Sequence, residues 1–404
     1  MDIANLNSFL TLGYFLDYKN KDIKIDVSHI DKEKYKDISE QELIEIGSKL
    51  WRESISNNFQ VNSKHLVPIS GGLDSRATLA GLLEHTEAKN IHTYTFGTPN
   101  TLDYDVGNYI AKKLGTNHTS FDLTKYAYKQ EELENISKRI HHQAVLFHHW
   151  PVWELDALFK GCIQWSGFMG DPLAGSHLSS SQSHNLEEAK TNFIKKNKYV
   201  KSIKLSNNDD FSSLINNDLI DKDKLTLDEQ LDFQNRQTKY ISSIVLMKGY
   251  DLKTPFLYQP YIDFMLSVDN KHRINQNLYK KILLNATINI SPLMPKWFGH
   301  FGNGHIIIER HISLKNYTRK MRFNLNIPGR DTYNIRCSYP PYIMPIQMIK
   351  NGGLPTKDKT TGSLIIYFKC DLGEYQKDKD NDKDNDKDNN NENLWNDLEN
   401  MFLK

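Results

Sequence analysis

From residue 64 to residue 171 the chain repeats one pattern: a short apolar run, a turn, then an amphipathic stretch at helical spacing. "KHLVPIS" reads as a buried strand that ends in glycines and runs into the helical "DSRATLAGLLEH". "NIHTYTFG" (90–97) is followed by "LDYDVGNYIAKKLG" (102–115), a helix that Gly115 stops. "HTSFDL" (118–123) precedes helices near 129–142 and 151–160, and "CIQWSGFMGD" (162–171) is a fourth strand running into a loop. Strands alternating with helices over short connections predict βαβ units, hence an α/β fold: a parallel sheet with helices on both faces. Ligands of such sheets bind outside the carboxyl ends of the strands. The loops after Ile69, Phe96 and Trp165 all leave such ends, so three loops from distant sequence are expected on one edge.

The flanking regions read differently. Residues 1–60 form an N-terminal helical segment, with a Ser39-x-x-Glu42 capping box opening "SEQELIEIGSKLWRESI". The main domain is expected over 61–325, with a Ser/Asn/Lys/Asp-rich insertion at about 178–225 and a long helix over 227–249. An apolar stretch broken by Pro255 and Pro260 follows, and residues 275–375 show no clear period. A helical C-terminal part, an extension over 326–375 and a disordered Lys/Asp/Asn tail over 376–404 complete the expected organisation. Lys+Arg (51) balances Asp+Glu (50), which gives no field to attract nucleic acid or a membrane. Cys162, Cys337 and Cys370 form no paired motif, the N-terminus lacks a basic leader, and no apolar run approaches the roughly 18 residues of a membrane span. The expectation is a reduced, cytoplasmic, soluble protein with neither nucleic-acid nor membrane partners.

The loop "LVPISGGLDSR" (66–76) carries the chemistry. Backbone N–H groups of a glycine turn entering a helix form an anion site. Gly71 and Gly72 permit close approach, Ser70 and Ser75 add hydroxyls, and Arg76 either adds charge or points to solvent. Asp74 among phosphate-binding donors is repulsive unless a cation lies between, which implies Mg2+. A Walker loop would place a lysine on the β- and γ-phosphates; this loop has none, which suggests a different split of ATP.

Ser-Gly-Gly-Leu-Asp-Ser after a strand resembles the pyrophosphate loop of the N-type ATP pyrophosphatases, best known from the asparagine synthetase family. Further blocks resemble that family in the same order: "TYTFGTPNTLDYDVGNYIAKKLGTNH", "WSGFMGDPLAGSH" (a Ser-Gly-x-Gly-Ser-Asp-like second loop), "YDLKTPFLYQPYIDFMLSVDNKHRI" and "LYKKILLNA". Together they span roughly residues 60–295. The resemblance implies an adenine nucleotide alpha hydrolase-like (HUP-type) sheet. It also implies an ATP- and Mg2+-dependent ligase that converts a small-molecule or peptide carboxylate to an acyl-adenylate, releases pyrophosphate, and passes the acyl group to ammonia or an amine. By the same resemblance Ile69 and Phe96 sandwich the adenine, Ser70, Gly71, Gly72, Leu73, Asp74 and Ser75 hold pyrophosphate, and Ser166 and Gly167 contact the nucleotide. Asp74 and Asp171 hold the metal, and Lys280, with Lys281 as the one-residue alternative, stabilises developing charge. Phe168, Asp103 and Arg236 are weaker substrate-side candidates; Asp103 also reads as a helix cap, and Lys280 also reads as a solvated helix lysine. The histidines His141, His142, His148 and His149 have spacing that argues against a metal site.

Several positions depart from the family. No cysteine precedes Cys162, so the expectation is that a glutaminase half is missing and that free ammonia, an amine or a separate glutaminase supplies nitrogen. Phe168 stands where the family's second loop has glutamate, Gly170 replaces a serine, and Pro172 replaces the glutamate after the aspartate. An apolar residue at 168 is nearer to relatives such as the β-lactam synthetases and lasso-peptide cyclases, and a specialised cyclase or a sugar-acid-amidating enzyme is the second enzyme reading. A degenerate, non-catalytic nucleotide-binding protein is the remaining alternative.

Overall fold

The computed structural model describes residues 3–17, 23–99, 102–123, 125–141, 145–146, 150–178, 181–198, 211–218, 221, 223–288, 321–325, 333–337 and 342–343. The tail over 376–404, most of 289–375, and His142, His148 and His149 lie outside them.

The first elements are helices α1 (Ile3–Leu12) and α2 (Glu40–Ser56). The predicted capping box starts α2: Glu42 N–H donates to Ser39 Oγ at 3.3 Å, and Ser39 N–H donates to Glu42 Oε2 at 3.1 Å. Such a cap contributes about 1 kcal/mol. The helix buries Leu43, Trp51 and Ile55, and Trp51 stacks on Phe256 at 4.5 Å.

Strand β1 (His65–Pro68), helix α3 (Leu73–Leu82), strand β2 (Ile91–Gly97), helix α4 (Leu102–Leu114) and strand β3 (Asn117–Asp122) follow in alternation. After the short β4 (Ala127–Tyr128), α5 (Gln130–Arg139), β5 (Val145–Leu146) and α6 (Val152–Leu158) comes strand β6 (Ile163–Trp165), then α7 (Gly170–Leu173) and α8 (Leu186–Asn197). Helix α9 (Leu227–Leu231) widens to i→i+5 winding over Asp232–Ile241 and tightens again as α10 (Ser242–Val245). Strand β7 (Asp251–Lys253), α11 (Gln259–Ser267), α12 (Asn270–Arg273) and α13 (Asn277–Ile288) come next. Short ladders join β4 to β8 (Met321–Leu325), β8 to β9 (Tyr333–Cys337), and β5 to β10 (Tyr342–Ile343).

Five strands form one parallel sheet in the order β3-β2-β1-β6-β7. The α/β expectation holds, with two corrections. The long helix ends at Val245 rather than 249 and is not a regular α-helix. The apolar stretch after residue 250 opens with a fifth strand, whose Asp251 and Lys253 give it no strand-like pattern in the sequence. The chain runs outward from β1 through β2 to β3 and then returns to β6 on the other side of β1. In open α/β sheets ligands bind where such a reversal occurs, outside the carboxyl ends of the strands.

One large core unites these parts, drawing on α2, α3, α4, β1, β6, α11 and α13. Helix α13 packs so closely on α2 that a Cβ on Gly47 would lie 2.3 Å from Ile282 Cδ1. The first turn of α13 is thereby brought to the sheet's carboxyl edge.

Candidate active site

At the end of β1 the backbone is locked to its neighbour. Ile69 N–H donates to Tyr94 O at 2.8 Å, and Thr95 Oγ1 donates to Ile69 O at 2.6 Å. Helix α4 can approach this carbonyl because it offers Gly107, where a Cβ would lie 2.4 Å from Ile69 O. Ile69 is itself buried in the main core, while Phe96 is half-buried, edge-on to Trp150 at 5.8 Å. The two adenine-site candidates thus sit on adjacent strands, and only Phe96 is open to solvent.

The turn that follows is held from within. Gly72 N–H donates to Ser70 Oγ at 3.1 Å, Ser75 Oγ donates to Gly72 O at 3.2 Å, and Arg76 Nε donates to the same carbonyl at 3.1 Å. Gly72 caps α3, whose first-turn N–H groups need partners from outside the helix. Arg76 does not point to solvent: it is buried, and burial pushes its guanidinium down to about 10. It braces the turn, and its charge acts on the Asp74 carboxylate.

The second loop closes against the first. Gly167 lies where a Cβ would come within 2.7 Å of Asp74 Cβ. Met169 takes a left-handed conformation (φ 75°) and turns the chain into α7. Strain at a non-glycine residue of this kind costs on the order of 1–3 kcal/mol. Gly170 follows, where a Cβ would lie 2.4 Å from Asp74 Cγ and 2.6 Å from each carboxylate oxygen. Gly170→Ala needs no unusual backbone, so its effect is steric: it is expected to displace Asp74 and weaken divalent-cation binding at the two carboxylates about 10–100-fold. Titration with Mn2+, with a melting curve to confirm folding, checks this.

Asp74 and Asp171 meet at this junction. Asp171 N–H donates to Asp74 Oδ2 at 3.1 Å, and Tyr279 Oη donates to Asp74 Oδ1 at 2.5 Å. Gln276 Nε2 donates to Asp171 Oδ1. Burial pushes the Asp74 carboxyl up to about 7, and the charge of Asp171 adds to it; Tyr279, the Asp171 N–H and Arg76 oppose. A buried carboxyl beside a second carboxylate behaves in this way. Among the described residues no group of three His, Cys, Asp or Glu side chains comes together. A pair of carboxylates suits Mg2+, which takes one or two from protein and the rest from phosphates and water.

The other candidates are placed as follows. Leu73 is the first residue of α3 and packs against the main core. Ser166 is buried; its N–H donates to Lys253 O, and its Oγ accepts from Phe168 N–H at 3.2 Å. Phe168, expected on the substrate side, is buried in the main core. Asp103 is exposed in the first turn of α4, inside the helix rather than capping it. Arg236 lies in the widened part of the 227–245 helix, with its charge near Asp232 and Tyr14. Lys280 Nζ donates to Asn275 O at 2.9 Å, and Lys281 is paired with Glu40 at 2.6 Å. In this conformation neither lysine reaches the two carboxylates.

Sequence reasoning passed over Tyr279 and Gln276. Tyr279 had a signal: Leu278, Tyr279, Ile282, Leu283 and Ala286 are all buried, and their helical spacing puts Tyr279 on the inner face and Lys280 off it. Gln276 had none, because its direction depends on a left-handed turn just before α13.

The asparagine synthase family model matches residues 50–145. The match takes in the first loop and strands β1 to β3 and stops before the second loop. No curated protein matches the chain. The matched family supports ATP-dependent amide ligase chemistry in general. Among the described residues no helix is long and apolar enough to cross a membrane.

Proposed function

We propose, on the premise that residues 50–145 carry an asparagine synthase-family domain, that this chain is an ATP-dependent carbon–nitrogen ligase of the AMP-forming type. The observation that carries the proposal is the junction of Asp74 and Asp171 at the topological switch of the sheet. A carboxylate oxygen attacks the α-phosphorus of ATP; the new O–P bond forms as the bond to the β-phosphate oxygen breaks, and pyrophosphate departs with the electron pair. The lone pair of ammonia or an amine then attacks the acyl carbon. The C–N bond forms, the C–O bond to AMP breaks, AMP leaves, and the nitrogen gives up a proton.

Each part of the chain has a task in that sequence. The first-turn N–H groups of α3, which follow the Gly72 cap, would face the departing pyrophosphate. Asp74 and Asp171 would hold Mg2+, which supplies positive charge to the phosphates when bound. Lys280 supplies a further positive charge once its bond to Asn275 O is released. Phe168 leaves the second loop without a carboxylate at that position, which favours a specialised acceptor of the β-lactam synthetase, lasso cyclase or sugar-acid amidation kind over aspartate with ammonia.

The test is product analysis with ATP and a panel of carboxylates and amines. AMP, pyrophosphate and an amide are the expected products. ADP and phosphate would contradict the α/β split, whereas nucleotide binding without any cleavage would favour a non-catalytic binding protein.

A further inference from the structure

We propose that Tyr279 and Gln276 are positioning residues for the two cation-binding carboxylates, Tyr279 for Asp74 and Gln276 for Asp171. The inference rests on the ligase reading above insofar as the cation is the one that accompanies ATP.

Tyr279 is fully buried, with its ring 5.9 Å from that of Phe256. A phenylalanine would fill the same space, so the hydroxyl is what distinguishes the residue. That hydroxyl donates to Asp74 Oδ1, while the Asp171 N–H takes Oδ2. One donor on each oxygen fixes the plane of the carboxylate and leaves each oxygen further acceptor capacity. Gln276 does the same from the other side by donating to Asp171 Oδ1.

Both groups come from one short stretch. Asn275 (φ 57°) and Gln276 (φ 60°) are successive non-glycine residues in the left-handed region, directly before α13. This elbow points Gln276 at the second loop, and Tyr279, three residues on, faces the first. The strain, on the order of 1–3 kcal/mol per residue, is offset by the bonds the elbow makes: Gln276 to Asp171, and Lys280 to Asn275 O. Partners that orient metal-binding carboxylates typically change metal affinity by about 10–100-fold when removed. Tyr261, nearby and equally buried, makes no hydrogen bond through its hydroxyl among the described residues and provides a matched control.

The experiment measures Mn2+ binding to the full chain in the presence of ATP, from loss of the free Mn2+ electron paramagnetic resonance signal. Tyr279→Phe is expected to raise the Mn2+ concentration at half-saturation about 10-fold or more, with Gln276→Ala shifting the same way. Tyr261→Phe is expected to match the wild type, and melting curves show that all variants are folded. Wild-type Mn2+ affinity in Tyr279→Phe overturns the inference, and so does an equal loss in Tyr261→Phe, which would report packing alone. If the wild type holds no Mn2+ with ATP, the ligase reading falls with it; if only the Tyr279 comparison fails, that reading stands.

Discussion

Under the proposed AMP-forming reaction, Asp74→Asn is expected to reduce pyrophosphate release from ATP by about 10²–10³-fold or more while leaving the chain folded. Asparagine keeps the shape, and its carbonyl can still accept from Tyr279. It cannot accept from the Asp171 N–H through its amide nitrogen, and it brings no negative charge to a cation. Loss of turnover without loss of fold would therefore belong to the charge. The same substitution has a second signature in the metal-free protein. The folded state raises the Asp74 carboxyl from 3.8 to about 7, so it favours the protonated form. The contribution of this group to stability is present below 3.8 and is lost as pH rises through about 7. Chelator-treated wild type should lose stability against Asp74→Asn between those values, read from denaturant midpoints at about pH 5 and about pH 8. Wild type gaining on the variant at the higher pH would mean that Asp74 is not held in the environment described.

What could be read in the sequence was the part in which local pattern and tertiary role agree. Strands β1, β2 and β6 carry apolar residues and end in turns, β3 follows the helix stop at Gly115, and the glycine turn at 70–72 announces a helix start, so the sheet and its loop edge were legible. β7 was not: three residues reading Asp-Leu-Lys become a strand only because β6 offers an unpaired edge. The wide winding over Asp232–Ile241 was hidden for a related reason. Its sequence is compatible with an ordinary helix, while the conformation it adopts carries a tertiary network in which Asp232 accepts from His177 and Gln237, and Lys239 donates to Leu16 O. Within the site, Asp74 and Asp171 could be placed because each follows a strand end. The direction of Lys280 could not, because the elbow at Asn275–Gln276 decides it. Phe168 shows a third kind of limit. Its motif position marked it as substrate-facing, and the left-handed Met169 beside it accompanies a loop path that buries the ring.

Arg273→Met is expected to cost about 3–5 kcal/mol of stability, the largest effect of a single substitution outside the two loops. Arg273 is fully buried and shares its guanidinium among three acceptors: Glu229, Leu173 O at 3.1 Å and Asn270 Oδ1 at 3.2 Å. Glu229 is buried too, and among the described residues its second oxygen already lacks a partner, so removal of the arginine strands a whole carboxylate in the core. Methionine fills much of the volume, which leaves charge and hydrogen bonding as the terms that change. Glu229→Gln in the same chain should therefore recover part of the loss, since a neutral amide tolerates burial better than an unpaired anion. Arg273→Lys should fail nearly as badly, because an ammonium lacks the planar fork that serves three separated acceptors. The position also matters for the site. Leu173 ends α7, two residues beyond Asp171, and Gly175 (φ 87°) packs so tightly that a Cβ would lie 2.6 Å from Arg273 O. Arg273 thus anchors the far end of the short turn that presents Asp171, and loosening it should weaken cation-dependent nucleotide binding in molecules that remain folded. Urea unfolding of the two single variants and the double variant, with Mn2+ binding measured well below the transition, separates the two effects. Additive losses in the double variant would show that Arg273 and Glu229 do not interact as described.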